Sequence, residues 1–303
     1  MGYNYTFKDV LERSERVTWR VEDLIGGDKT LDFGRPFMPE SLARVAPLDF
    51  LSDKEKRTLN QIRGHAYLRI FVIVEEFILP FVLDHTRAIV NGEDYSVRAF
   101  LEFAGEEAKH MHLFRRFAEV FDQGFGTKCE IIGPSEVIGK HILSHHPLSV
   151  ALVILQTEWM TQRHFVDSVH DDGRLDPCFK DMLKHHWMEE MQHAQIDTLM
   201  VQTMADAMPA AEVEAAIDGY WAIGRFIDDG LKQQMLFDLA ALETAIGRTL
   251  HPDERGPFMD VQQQANRWTF LGSGMSHPKF VEMMGMLNKD RQRELLDAVP
   301  MFS

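Results

Sequence analysis

Cysteine is almost missing: Cys129 and Cys178 are the only two in 303 residues. Two thiols so far apart exclude a disulfide framework and a thiolate metal site, so any metal must be held by nitrogen and oxygen. No apolar run reaches about 18 residues, which excludes a membrane-spanning helix. Positive charge is scarce, with 32 Lys and Arg against 47 Asp and Glu. The net charge of -15 and a pI near 5.4 leave no basic patch for nucleic acid or an anionic membrane, and neither partner is expected. The first ten residues are polar and carry no charged-then-apolar signal, so a cytoplasmic location is expected. Proline is sparse and alternating β-branched runs are few, which points to an all-α chain.

The pattern along the chain predicts three stretches. Residues 1–52 read as an arm with a short helix around Asp9 to Leu24 and a Gly/Pro-rich connection from Gly26 to Pro47. Residues 53–208 read as four long helices. The first runs from Asp53 to His85 and breaks near Asn91-Gly92; the second is capped by Ser96 and ends near Gly124. The third starts after Pro147 and reaches about His170, and Asp176-Pro177 opens the fourth, which ends near Met208. Residues 209–303 read as helices over Ala211 to Arg248 and Lys279 to Val299, separated by a segment rich in Gly and Pro. No polar linker isolates them, so one domain overall is expected.

Two Glu-x-x-His motifs stand inside helical stretches, Glu107 to His110 and Glu190 to His193. Three residues apart on a helix is one face, so each pair can grip a metal with a carboxylate oxygen and an imidazole nitrogen. In a chain with 14 His and 47 acidic residues, one such motif carries little weight. The spacing carries more. Glu75 lies 32 residues before Glu107, and Glu158 lies 32 before Glu190, so the chain repeats with an offset of 83. At 1.5 Å per residue, each antiparallel hairpin returns its second glutamate to about the depth of its first. Two such hairpins form a four-helix bundle with six ligands at mid-height. Glu75 is chosen over Glu76 because its face carries Leu68, Phe71, Val72, Ile78, Leu79 and Val82, whereas that of Glu76 includes Arg69 and Pro80. His186 lies on the stripe of Glu190 and His193 and makes a seventh candidate, although an exposed His185-His186 pair is the competing reading. Glu106 and Glu189 precede the motif glutamates. They fit the carboxylates that accept the outer N–H of a metal-bound histidine, each from the opposite hairpin, or equally plain surface acids.

The order Glu, Glu-x-x-His, Glu, Glu-x-x-His resembles the ferritin-like di-iron carboxylate proteins. With His186-x-x-x-Glu190-x-x-His193, and Ala66-Tyr67 eight residues ahead of Glu75, it is similar to the p-aminobenzoate N-oxygenase family over roughly Asp53 to Met208. The resemblance implies two iron ions, with Mn/Fe as the alternative, bound by Glu75, Glu107, His110, Glu158, His186, Glu190 and His193. It implies an oxygenase that uses O2 and an external electron donor to oxidise an amine nitrogen. A homodimer is among the expected assemblies. That family holds the substrate carboxylate with a C-terminal arginine; here none aligns securely, and Arg267 is only a nearby candidate. Another di-metal oxidase or hydroxylase and a non-enzymatic ferritin-like iron-binding protein are the alternatives. A metal-free helical module ranks last, because inward carboxylates without partners cost several kcal/mol each.

Overall fold

A computed structural model describes residues 4–303. Among them there is no β-strand, only an isolated bridge between Gly26 and Lys29. The chain opens with α1 (Phe7–Ser14), a 3-10 turn (Val21–Asp23) and α2 (Glu40–Ala43), so the helix expected over Asp9 to Leu24 is two shorter pieces. The bundle follows: α3 (Asp53–Ile89), α4 (Asp94–Phe125), a short α5 (Ser135–Leu143), α6 (Pro147–Arg163) and α7 (Pro177–Asp206). A π-helical turn, His164–Val169, continues α6. The chain then forms α8 (Ala210–Ile246), α9 (Pro252–Arg267), a second π turn (Trp268–Gly272), α10 (Ser273–Met275), α11 (Pro278–Leu287) and α12 (Lys289–Ala298). This is a ferritin-like four-helix bundle with added N- and C-terminal helices. Among the described residues, no helix is long and apolar enough to cross a membrane.

Caps set the bundle helices. Ser52 and Glu55 form a capping box at the start of α3, and the Asp176 carboxylate accepts the Phe179 N–H at 2.6 Å above Pro177. Ser96 is not the cap of α4. Glu93, three residues earlier, takes that place, its carboxylate accepting from the free N–H groups of Tyr95 and Ser96. α4 also passes Gly124 and stops at Gly126, whose φ of 78° suits a left-handed cap. Gly124 is instead a packing position, where the Phe33 ring lies too close for any Cβ.

α3 pairs with α4 and α6 with α7, while α8 lies across α3 and α6 and α1 crosses α4 and α7. One apolar core runs through all of them, from Val10 and Leu11 of the arm through the Phe100, Phe103, Phe114, Phe117 stripe of α4 to Leu295. Burial of these faces, at roughly 25 cal/mol per Å², holds the long helices in register. The Gly/Pro-rich separator expected after Arg248 is largely helical. Pro252 occupies a first-turn position, where a missing N–H costs nothing, and Gly272 and Gly274 mark close backbone packing. The single helix expected over Lys279 to Val299 breaks at Asn288, whose extended backbone and side chain cap α12.

Candidate metal centre

Glu75, Glu107, His110, Glu158, His186, Glu190 and His193 meet at mid-height of the bundle, and none is more than 2% exposed. Glu75 comes from α3, Glu107 and His110 from α4, Glu158 from α6, and the remaining three from α7. Two four-residue groups have donor atoms within 4.8 Å of one another: Glu75, His110, His186 and Glu190, and Glu107, His110, Glu190 and His193. Glu190 and His110 belong to both. Glu158 falls outside both groups and lies against Glu190. Glu76 points away, paired with Arg115 at 2.6 Å near the surface.

The contacts across the cluster are short. Glu190 Oε1 lies 2.6 Å from His186 Nε2 and 3.1 Å from His110 Nδ1, and Glu107 Oε1 lies 2.9 Å from His193 Nδ1. Glu75 Oε1 is 3.6 Å from His186 Nε2. Yet Glu75 Oε2, both Glu107 oxygens, Glu158 Oε2, His110 Nδ1, His186 Nε2 and His193 Nδ1 are buried without a well-directed hydrogen bond. Buried polar atoms are ordinarily satisfied, so this many orphans converging on one point fit one or two cations. The donor set is nitrogen and carboxylate oxygen only, which suits iron or manganese.

The outer nitrogens are tied down. His193 Nε2 lies 2.8 Å from Glu106 Oε2, and His110 Nε2 lies 2.9 Å from Glu189 Oε2, each contact crossing from one hairpin to the other. These contacts turn Nδ1 of both rings toward the centre. Burial alone would lower the pKa of His110, but the Glu189 and Glu190 carboxylates outweigh it and raise it to about 9. His193 is raised well above the ordinary range, with Glu190, Glu106 and Glu107 overcoming its burial. His186 is lowered by burial, only partly offset by Glu190. Burial and the neighbouring Glu190 charge hold Glu158 well above the carboxylate range. Glu190 lies well below it despite burial, because His186, Glu158 and His193 surround it. Burial and like charge thus favour the protonated form of Glu158, and the surrounding groups favour the ionised form of Glu190.

Several residues around the centre have no signal in the sequence spacing. Ser14 of the arm donates its Oγ–H to Glu106 Oε1 at 2.7 Å. Lys109 pairs with Glu189, and its ammonium sits 4.2 Å from the ring centre of Trp19, which stacks on His110 at 6.2 Å and 8°. The arm therefore buttresses both outer carboxylates. Asp197, one turn beyond His193, is fully buried with neither oxygen hydrogen-bonded, and burial raises its carboxyl well above the ordinary range. Tyr67 contacts His164 Nδ1 at 3.2 Å, and His164 Nε2 contacts Ser273 Oγ at 3.0 Å. Burial lowers His164 to about 3, so it is a neutral link from the first π turn to α3 and α10. Arg267 is not free for a substrate: it forks onto Asp228 with two contacts of 2.7 Å.

A cavity of about 430 Å³ lies between α3, α5, α6, α8 and the second π turn. No residue of α4 or α7, the helices that supply every histidine of the cluster, lines it.

Fold and donor cluster together define a ferritin-like bundle built around a buried carboxylate–histidine centre. Among solved structures, the chain is similar to an R2-like ligand-binding oxidase variant with an anaerobically reconstituted Mn/Fe cofactor. That match has 14% identity and a TM-score of 0.52 and covers 92% of this chain and 95% of the other. A second variant of such an oxidase, with an aerobically reconstituted Mn/Fe cofactor, matches at 15% identity and TM-score 0.50 over the same shares. At that identity the likeness is one of fold. No protein-family model and no curated sequence matches the chain.

Proposed function

We propose that this chain is a non-haem di-metal oxygenase, with iron in both positions or Mn/Fe, that oxidises an amine nitrogen. The observation that carries the metal reading is the set of buried donor atoms left without hydrogen bonds at the meeting point of four helices. Glu75, Glu107, His110, Glu158, His186, Glu190 and His193 would hold the ions, and Glu190 belongs to both four-residue groups. Glu158, outside both groups, would join once its proton leaves. The ions would supply the binding and reduction of O2. Similarity in fold to oxidases carrying Mn/Fe supports the same chemistry here.

The chain's own residues set the conditions. Glu106 and Glu189 hold His193 and His110 with Nδ1 inward. The phenylalanines around the cluster, with Phe103 stacked on His193 and Phe114 edge-on to His186, keep water out. His186 is the residue that favours amine oxidation over the other oxidase readings, because the resemblance to the N-oxygenase family rests on it. In the net reaction, the amine and O2 take two electrons and two protons from an external donor. One oxygen atom goes to nitrogen, giving a hydroxylamine, and the other to water.

The test is anaerobic reconstitution with ferrous iron, followed by metal analysis and oxygen uptake. About two ions per chain and uptake stimulated by an arylamine are expected, with one atom of 18O2 in the hydroxylamine. Saturation at one ion or fewer overturns the di-metal reading. Uptake without label in the amine overturns the nitrogen chemistry alone.

A further inference from the structure

A groove of about 800 Å³ lies between the segment from Leu24 to Thr30, the first π turn and the first turns of α7, and Phe165, Cys178, Lys180 and Trp187 line it. A much smaller void, of about 10 Å³, is lined by Tyr67, His164, Leu183 and His186, and again by Phe165 and Trp187. The two spaces therefore meet at one pair of side chains. The rings of that pair stack, with centres 4.5 Å apart at 22°. His186 is a candidate ligand, so the void touches the cluster at that residue, as the larger apolar cavity beside α8 does not.

Size decides what can pass. A void of about 10 Å³ has room for roughly one water-sized molecule. Dioxygen is of that order, whereas a substituted ring must displace Phe165 or Trp187 to reach His186 from the groove. The local structure leaves those two free to move. Phe165 sits in a π-helical turn, where the regular hydrogen-bond ladder is already interrupted. The turn is held at both ends instead: His164 contacts Tyr67 and Ser273, and the Lys180 ammonium donates to the His170 carbonyl at 2.7 Å. Trp187 is half-buried and its indole N–H has no acceptor, so packing and the stack with Phe165 are what hold its ring.

We propose that this groove is the entrance to the centre and that Phe165 and Trp187 form a size filter across it. A molecule as small as dioxygen passes the stacked pair, and a planar, ring-sized substrate enters only when the two rings part. The assignment rests on the metal reading of the centre. Phe165 and Trp187 then act on admission and not on the chemistry at the ions.

Stopped-flow absorbance of the cobalt(II)-loaded protein tests it, with azide as the small probe and 4-phenylimidazole as the ring-sized one. Both are cobalt ligands that alter its visible spectrum. Phe165→Ala should speed association of 4-phenylimidazole at least tenfold and that of azide less than threefold. Trp187→Leu should act in the same direction and serves if the Phe165 variant folds poorly. Thr30→Trp, at an exposed position of the groove, should slow 4-phenylimidazole at least threefold. Ile138→Trp, which fills the separate apolar cavity from a half-buried position, should leave both probes within twofold. Rates for 4-phenylimidazole unchanged in both ring variants overturn the proposal. So do equal accelerations of the two probes, slowing by Ile138→Trp but not by Thr30→Trp, or probes that leave the cobalt spectrum unaltered in every variant. Failure of the metal reading is distinguishable, because no cobalt spectrum would form at all, whereas normal loading with unchanged rates overturns the entrance alone.

Discussion

Removing one hydroxyl from the N-terminal arm is expected to weaken metal binding at the far side of the bundle. Ser14 is 2% exposed and donates 2.7 Å to Glu106 Oε1, while the other oxygen of that carboxylate holds His193 Nε2 at 2.8 Å. Glu106 itself is 5% exposed, so little water can replace the lost donor. A hydrogen bond to a buried charged group contributes about 1.5–3 kcal/mol. The outer partners of metal-bound histidines typically govern about 10- to 100-fold in affinity. Ser14→Ala should therefore lower affinity for the ion held by His193 at least tenfold, measured by competition with a chelator. It should also lower metal-free stability by about 1.5–3 kcal/mol in urea unfolding. Ser14→Thr keeps the hydroxyl and should recover most of the affinity. Chelator competition within twofold of the parent for Ser14→Ala would refute the buttressing role of the arm.

Other expectations follow from the same geometry. His110, raised to about 9 in the folded metal-free protein against 6.5 for the free side chain, contributes stability that is complete below pH 6.5 and is lost as pH rises through 9. The melting temperature without metal should fall over that window, and ferrous binding at pH 7 should release protons, read in two buffers of different ionisation enthalpy. Glu75→Ala should lose an ion whereas Glu76→Ala should keep both, by metal analysis; the reverse result would mean that the facing of α3 is wrong. Gly274→Ala would set a Cβ 2.5 Å from the Gln156 carbonyl oxygen and should cost about 1–3 kcal/mol of stability in urea unfolding; an unchanged midpoint would mean that α10 can move aside.

The bundle was legible because its determinants are local and periodic. The apolar face around Glu75, the Asp176-Pro177 start and the repeated 32-residue interval each constrain the hairpins without reference to the rest of the chain. Helix ends were less legible where two residues compete for one role. Glu93 displaced Ser96 as the α4 cap because both stand within a turn of the same free N–H groups, and propensity does not rank a carboxylate against a hydroxyl strongly enough. The helix over Pro252–Arg267 was obscured because Pro252 in its first turn and Gly256-Pro257 within it look like punctuation in a sequence. Ser14, Trp19 and the cavity had no sequence signal at all. They depend on elements far apart in the chain coming into contact, and no period or motif records that.

The energetic balance of the cluster argues for a cation more strongly than the motifs do. Each of the seven donor atoms without a well-directed hydrogen bond costs about 1–3 kcal/mol when buried, so together they set on the order of 10 kcal/mol against folding. That equals a typical net stability of 5–15 kcal/mol for a whole domain. The chain offsets part of this because Glu158 beside Glu190 is shifted toward its protonated form and His110 and His193 among carboxylates toward their charged forms. A purely structural module gains nothing from that arrangement, since apolar residues of similar volume would pack the same space without the penalty. Ions that bind only the folded chain would turn the penalty into stabilisation by mass action, and the protons now compensating the cluster would leave as they bind.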